Sequence, residues 1–160
     1  MKPIIILFFL FLTLKAFGQN YILPDGEFMD TTAYKGPGCE DFNLYYYQVG
    51  GKYLKSSLTT LNELRDFLLP KNMIYKGSGY VTFRFKIDCS GNKMNKTQVI
   101  QTDDKYKSNH FDKEFVSDLY KFLNTLSAWK IPKDSSGKSY PYNAFITYKI
   151  IDGKVVNIIP

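Results

Sequence analysis

The chain is 160 residues long, 44% hydrophobic and 22% charged, with a formal net charge of +6. That length is one domain's worth, large enough to bury a core without metals or disulfides as its only support. The positive surplus contains no basic cluster with spaced aromatics, so a nucleic-acid partner is not expected.

Met1-Lys2 supplies a positive start, Ile4 to Leu14 is an almost unbroken apolar run of eleven residues, and Ala16-Phe17-Gly18 puts small residues at the cleavage positions. This is the layout of a secretory signal peptide over residues 1–18. The run is shorter than the roughly twenty residues a spanning helix needs, so no integral membrane span is expected after cleavage. The mature chain, Gln19 to Pro160, keeps 19 basic and 15 acidic residues. It also keeps both cysteines, Cys39 and Cys89. An even count in an oxidising compartment predicts one disulfide between them, closing a loop of about fifty residues and stabilising by roughly 4 kcal/mol on a chain-entropy argument.

Residues 19–57 read as a turn-rich N-terminal extension. Leu23-Pro24-Asp25-Gly26 and Gly36-Pro37-Gly38 are turn signals. Phe42 to Val49, with Tyr45-Tyr46-Tyr47 at its centre, is strand-like, and Gly50-Gly51 reads as a hairpin loop into a second strand near Lys52 to Ser56. The tyrosine run is read as β-propensity, with a stacking platform for a sugar or base as the rival.

Residues 58–160 read as one α+β unit. Thr59 or Thr60 opens a helix, with Glu63 completing a capping box and Leu61, Leu64, Phe67 and Leu68 at helical spacing. In the next strand Val81, Phe83, Phe85 and Ile87 alternate with Tyr80, Thr82, Arg84 and Lys86, one buried face against one wet face. Asn95 to Thr102 returns. Ser108 or Asn109 caps a second helix with Phe111, Phe115, Leu119, Phe122, Leu123 and Leu126 on one stripe. Tyr142 to Ile151 is the last long strand, and Asp152-Gly153 turns it into Val155 to Ile159.

From about Leu61 to Ile151 the chain resembles the C-terminal domain of TonB-type energy transducers. The carrying pieces are Phe67-Leu68-Leu69-Pro70-Lys71-Asn72-Met73-Ile74-Tyr75, the strand Gly79 to Asp88, Gly91, the amphipathic helix, Trp129 with Pro132, and Gly137-Lys138. The resemblance implies an antiparallel sheet with two helices on one face, in the order helix-strand-strand-helix-strand. It also implies capture of an extended peptide from an outer-membrane protein by β-augmentation. The matching strand puts Phe145, Thr147, Lys149 and Ile151 on the peptide-binding edge. Three features depart from a transducer: the only apolar segment is cleavable, no long linker is present, and Val155 to Ile159 can fold back over that edge.

Enzyme signatures are thin. His110 is the only histidine, and no nucleophile elbow or metal-spaced set occurs. No catalytic residue, metal or cofactor is expected. The expected function is a non-enzymatic protein- or peptide-binding module in the periplasm or at the outer membrane, linked to outer-membrane transport. A structural accessory with closed sheet edges is the alternative.

Overall fold

The computed structural model describes residues 27–32 and 43–160. The signal-like segment, the turn signals at 23–26 and 36–38, Cys39 and Phe42 lie outside the described residues. Five strands form one antiparallel sheet: β1 (Glu27–Asp30), β2 (Gly79–Ile87), β3 (Lys93–Asp103), β4 (Tyr142–Ile151) and β5 (Lys154–Ile159), in the spatial order β1-β3-β2-β4-β5. Between them come a helical turn α1 (Tyr46–Val49), the helix α2 (Ser57–Leu68) with a 3₁₀ turn Leu69–Lys71, and the helix α3 (Lys113–Leu123).

The sheet is two-faced, as its alternation dictates. Val81, Phe83, Phe85 and Ile87 of β2 and Tyr142, Ala144, Ile146, Tyr148 and Ile150 of β4 are buried against the helices. Their alternates on the other face are half-buried, except for buried Asn143 and exposed Ile151 at the two ends of β4. α3 turns Phe115, Val116, Leu119, Phe122 and Leu123 into the core. Phe122 meets Phe67 of α2 at a ring separation of 5.6 Å, so the two helices share one face. The expected α+β architecture is present, with β1 as an added edge strand on β3.

Both helix starts differ from the sequence expectation, for local reasons. Ser56, not Thr59 or Thr60, caps α2 by accepting from the Thr59 amide. Thr60 is buried and its hydroxyl donates back to the Ser56 carbonyl, so it is already inside the first turn. Asp112, not Ser108 or Asn109, caps α3, accepting from the Glu114 and Phe115 amides. The residues before it are held extended beside β3: Ser108 bridges Thr102, and the Phe111 amide donates to Gln101 Oε1.

The hairpin expected around Gly50-Gly51 takes a different form over the described residues. Tyr46–Val49 is a helical turn, closed by Gly50 in the left-handed conformation at φ 64° and opened by the Tyr45 amide donating to Gln48 Oε1. Lys52–Leu54 is extended, but its partner is the Trp129 segment: Leu54 N–H donates to the Ala128 carbonyl and Lys130 N–H to that of Lys52. Tyr53 and Trp129 pack at 4.7 Å between ring centroids, and Phe85 meets the indole in an edge contact at 5.2 Å. Burying a ring against Trp129 outweighs pairing two short aromatic strands in water. Gly51 lies against the Tyr142 ring, where a Cβ would come within 2.6 Å of it.

Candidate functional site

β4 is not an edge strand. Thr147, Lys149 and Ile151 pair with Ile159, Asn157 and Lys154 of β5 on one side, while β2 occupies the other. Of the peptide-binding edge expected at Phe145, Thr147, Lys149 and Ile151, the last three positions are therefore filled by β5, and Phe145 lies just beyond its end. The physical cause is the tight Asp152-Gly153 turn, held in place by Gly153 N–H donating to the Gly77 carbonyl and Asp152 N–H to Ser78 Oγ. Beyond the end of β5, Asn143 pairs in parallel with Tyr45, its amide donating to the Leu44 carbonyl at 2.7 Å.

β5 then becomes the outer edge, and it is blunted. In an antiparallel ladder, alternate residues turn their backbone groups to opposite sides. Asn143 turns its N–H away from β2, so Thr147 and Lys149 do the same towards Ile159 and Asn157. Ile158, lying between those two, therefore presents its N–H to the open side. There it donates to Asn157 Oδ1 at 2.9 Å, which removes a donor that an added strand would use.

Among the described residues, the sheet face turned away from α2 and α3, the helix-free face, is covered only at its ends. Cross-strand register places Tyr80 beside Lys149, Thr82 beside Thr147, and Arg84 beside Phe145. At one end the Tyr106 ring stacks on Tyr80 at 5.1 Å and 8° between planes. Tyr106 is 73% exposed and sits at φ 60°, unusual for an aromatic residue. Asp103 holds it there by accepting from the Lys105 and Lys107 amides around the turn. At the other end Tyr45 stacks on Phe145, and Tyr47 stacks on Tyr45 at 5.7 Å, with its own ring 67% exposed. The Arg84 guanidinium carbon lies 5.9 and 5.8 Å from the Tyr45 and Phe145 ring centroids, and Arg84 donates to the Tyr45 hydroxyl at 3.2 Å.

No protein-family model matches this chain, and no curated protein or solved structure is similar to it. The TonB-type resemblance therefore remains a reading of the sequence.

Two polar clusters lie elsewhere. Asp118, buried on α3, accepts from Lys71, Lys121 and the Tyr75 hydroxyl. Burial alone would raise its carboxyl, but the donations of Lys71, Lys121 and Tyr75 hold it below the usual value. Burial, and then the Asp118 bond, push the Tyr75 phenol up to about 12. This cluster ties the link between α2 and β2 to α3, a structural task. A half-open cleft of about 530 Å³ lies between the β2–β3 turn and the end of α3, lined by Asn92, Lys93, Asn95, Tyr120 and Asn124 with Asp30. Burial against the Phe85 and Tyr120 rings lowers the Lys93 ammonium to about 8.

His110 lies on the surface, its Nε2 2.8 Å from Glu27 Oε1. Among the described residues no group of His, Cys, Asp or Glu is arranged to hold a metal ion. No helix among them is long and apolar enough to cross a membrane. Cys89 carries no free thiol, and its expected partner Cys39 lies outside the described residues. Sequence reading identified the wet face of β2 but not the two aromatic stacks. The alternation of Tyr80, Thr82, Arg84 and Lys86 was legible, whereas nothing in the Asp103–Ser108 loop marked Tyr106 as returning over it.

Proposed function

We propose that this protein is a non-enzymatic binding module of the cell envelope that takes a protein or peptide partner on its helix-free sheet face. One observation carries the reading: Tyr45, Tyr47, Phe145 and Arg84 form a stacked array on that face, with Tyr47 left exposed. Tyrosine and arginine are the residues in which protein interfaces concentrate their binding energy. Held in a stack, they lose little freedom when a partner arrives. The signal-like N-terminus supports an exported location. The resemblance to TonB-type domains supports protein capture as the class of function, by a surface other than the edge that those domains use.

A second reading is the closed-edge accessory, with no partner of this kind. The Asn157 contact to Ile158 and the pairing of Tyr45 with Asn143 favour it. Photocrosslinking separates the two. A benzoylphenylalanine at Tyr47 or Tyr106 should form a common adduct in envelope preparations, while one at Leu58 on α2 should not. Absence of adducts at both face positions, from a folded protein, would leave the accessory reading.

A further inference from the structure

We propose that the occupant of this face is an acidic extended peptide segment. Two of its carboxylates, four residues apart, would pair with Lys149 and Arg84, with an apolar residue seated between them. This rests on the binding reading above and adds the chemistry of the partner.

The register supplies the geometry. Tyr80 with Lys149 and Arg84 with Phe145 form two rows separated by four residues of β2, about 13 Å along the strand. Between them, one row crosses four strands: Ile100, Thr82, Thr147 and Ile159. The two threonine hydroxyls bond each other at 2.9 Å, so the row offers β-branched carbon to whatever lies on it. The result is an apolar floor bounded along the strand direction by the Tyr80–Tyr106 stack at one end and the Tyr45–Tyr47–Phe145 stack at the other. In an extended chain, residues i and i+4 point the same way and span that 13 Å, with i+2 between them facing the floor.

Charge decides the sign. Over the rows from Tyr80–Lys149 to Arg84–Phe145, the helix-free positions of β2 and β4 are Tyr80, Thr82, Arg84, Phe145, Thr147 and Lys149, which bring two basic residues and no acidic one. Arg84 lies against the edge of the Tyr45–Phe145 pair and spends one N–H on the Tyr45 hydroxyl. Its guanidinium retains further donors in a fixed plane, suited to a carboxylate. Polar bookkeeping favours peptide over an anionic glycan. The Thr82 and Thr147 hydroxyls bond each other, Tyr106 stacks on the Tyr80 ring, and the Tyr45 hydroxyl accepts from Arg84. A sugar's many hydroxyls would meet groups already engaged, whereas a peptide brings only its carboxylates and one apolar side chain to this face.

The test is panning of a phage-displayed random dodecapeptide library on the folded, full-length mature protein, followed by titration of the enriched peptides. Enriched sequences should carry Asp or Glu at i and i+4 around an apolar residue. Their affinity should fall at least tenfold with Lys149→Gln or Arg84→Gln, and also as salt is raised. Near-UV circular dichroism checks the tyrosine stack in each variant, and Lys149→Gln, which leaves Arg84 and Tyr45 untouched, decides if Arg84→Gln disturbs it. No enrichment, a neutral or basic consensus, or equal affinity for wild type and Lys149→Gln would overturn the proposal. So would a screen of anionic oligosaccharides in which glycans bound in place of peptides. A Tyr47 crosslink obtained together with any of these results would keep the binding function and discard the acidic occupant.

Discussion

Tyr45 lies flat against Phe145, ring centroids 6.3 Å apart and planes 8° from parallel, although a hundred residues separate them in the chain. The contact joins the segment before α1 to the strand expected to serve as a binding edge. Arg84 lies alongside both rings, its guanidinium carbon 5.9 and 5.8 Å from their centroids.

Tyr45→Ala should therefore act on stability and on local order together. Loss of the ring and its two stacked neighbours should cost about 2 kcal/mol in urea unfolding. The Asn143 amide, which donates to the Leu44 carbonyl, should exchange with solvent faster than in wild type. An unchanged exchange rate would show that the pairing does not depend on the stack.

Tyr148→Phe should stabilise the protein. The Tyr148 hydroxyl is fully buried and has no hydrogen-bond partner among the described residues, and burial drives its pKa upward. Removing an unsatisfied buried hydroxyl relieves about 1 kcal/mol of desolvation cost without opening a cavity larger than one oxygen. A rise in Tm on calorimetry is the expected reading.

Asp118→Ala should destabilise by about 2 kcal/mol, because one carboxylate satisfies Lys71, Lys121 and Tyr75. Its folded pKa lies below the unfolded value. Its contribution is thus complete above the unfolded pKa of about 4 and disappears as pH falls through the lower, folded pKa. Wild type and variant should converge in stability under strong acid.

Lys93 gives the opposite signature. Its folded pKa is about 8 against an unfolded value of 10.5, so between those limits the unfolded chain holds a proton that the folded one has released. Stability should rise with pH through that window relative to Lys93→Met, which keeps the contact with Phe85 and Tyr120 and cannot titrate. A flat difference between the two proteins from pH 8 to 10.5 would contradict the burial of this amine.

Asn157→Ala should leave the fold intact and release the Ile158 N–H on the outer edge of β5. Exposed Val156 and Ile159 flank that group, so sedimentation velocity should detect association at concentrations where wild type is monomeric.

How much of this was legible in the sequence depended on whether local pattern or distant contact decided each element. β2 and β4 were readable because alternation of Val81 to Ile87 and of Tyr142 to Ile150 requires one buried face whatever lies on it. The stripe of α3 was readable for the same reason, though its cap was not: Ser108, Asn109 and Asp112 are all competent caps, and Gln101 on β3 settled the choice by holding Phe111. The tyrosine run was misread because three adjacent rings satisfy strand propensity, while Gln48, Gly50 and Phe145 make a helical turn the better packing. β1 had no signal beyond four ordinary residues; Glu27 finds its place through Gln101 and His110. The binding edge failed as an expectation because occupancy of a strand's far side depends on where the chain's last residues go.

The order of strands has a consequence for when the protein can exist in finished form. β2, at the centre of the sheet, gains its second neighbour only from residues 142–151, and that neighbour gains its own from residues 154–159. The link before β2 is pinned by Gly153, where any Cβ would come within 2.0 Å of the Tyr75 carbonyl oxygen. During synthesis the β2–β3 hairpin must therefore wait, one flank bare, until residues 142–151 have been made. The sheet thus stays open at its centre until residues 142–159 emerge, and closes only when they pair.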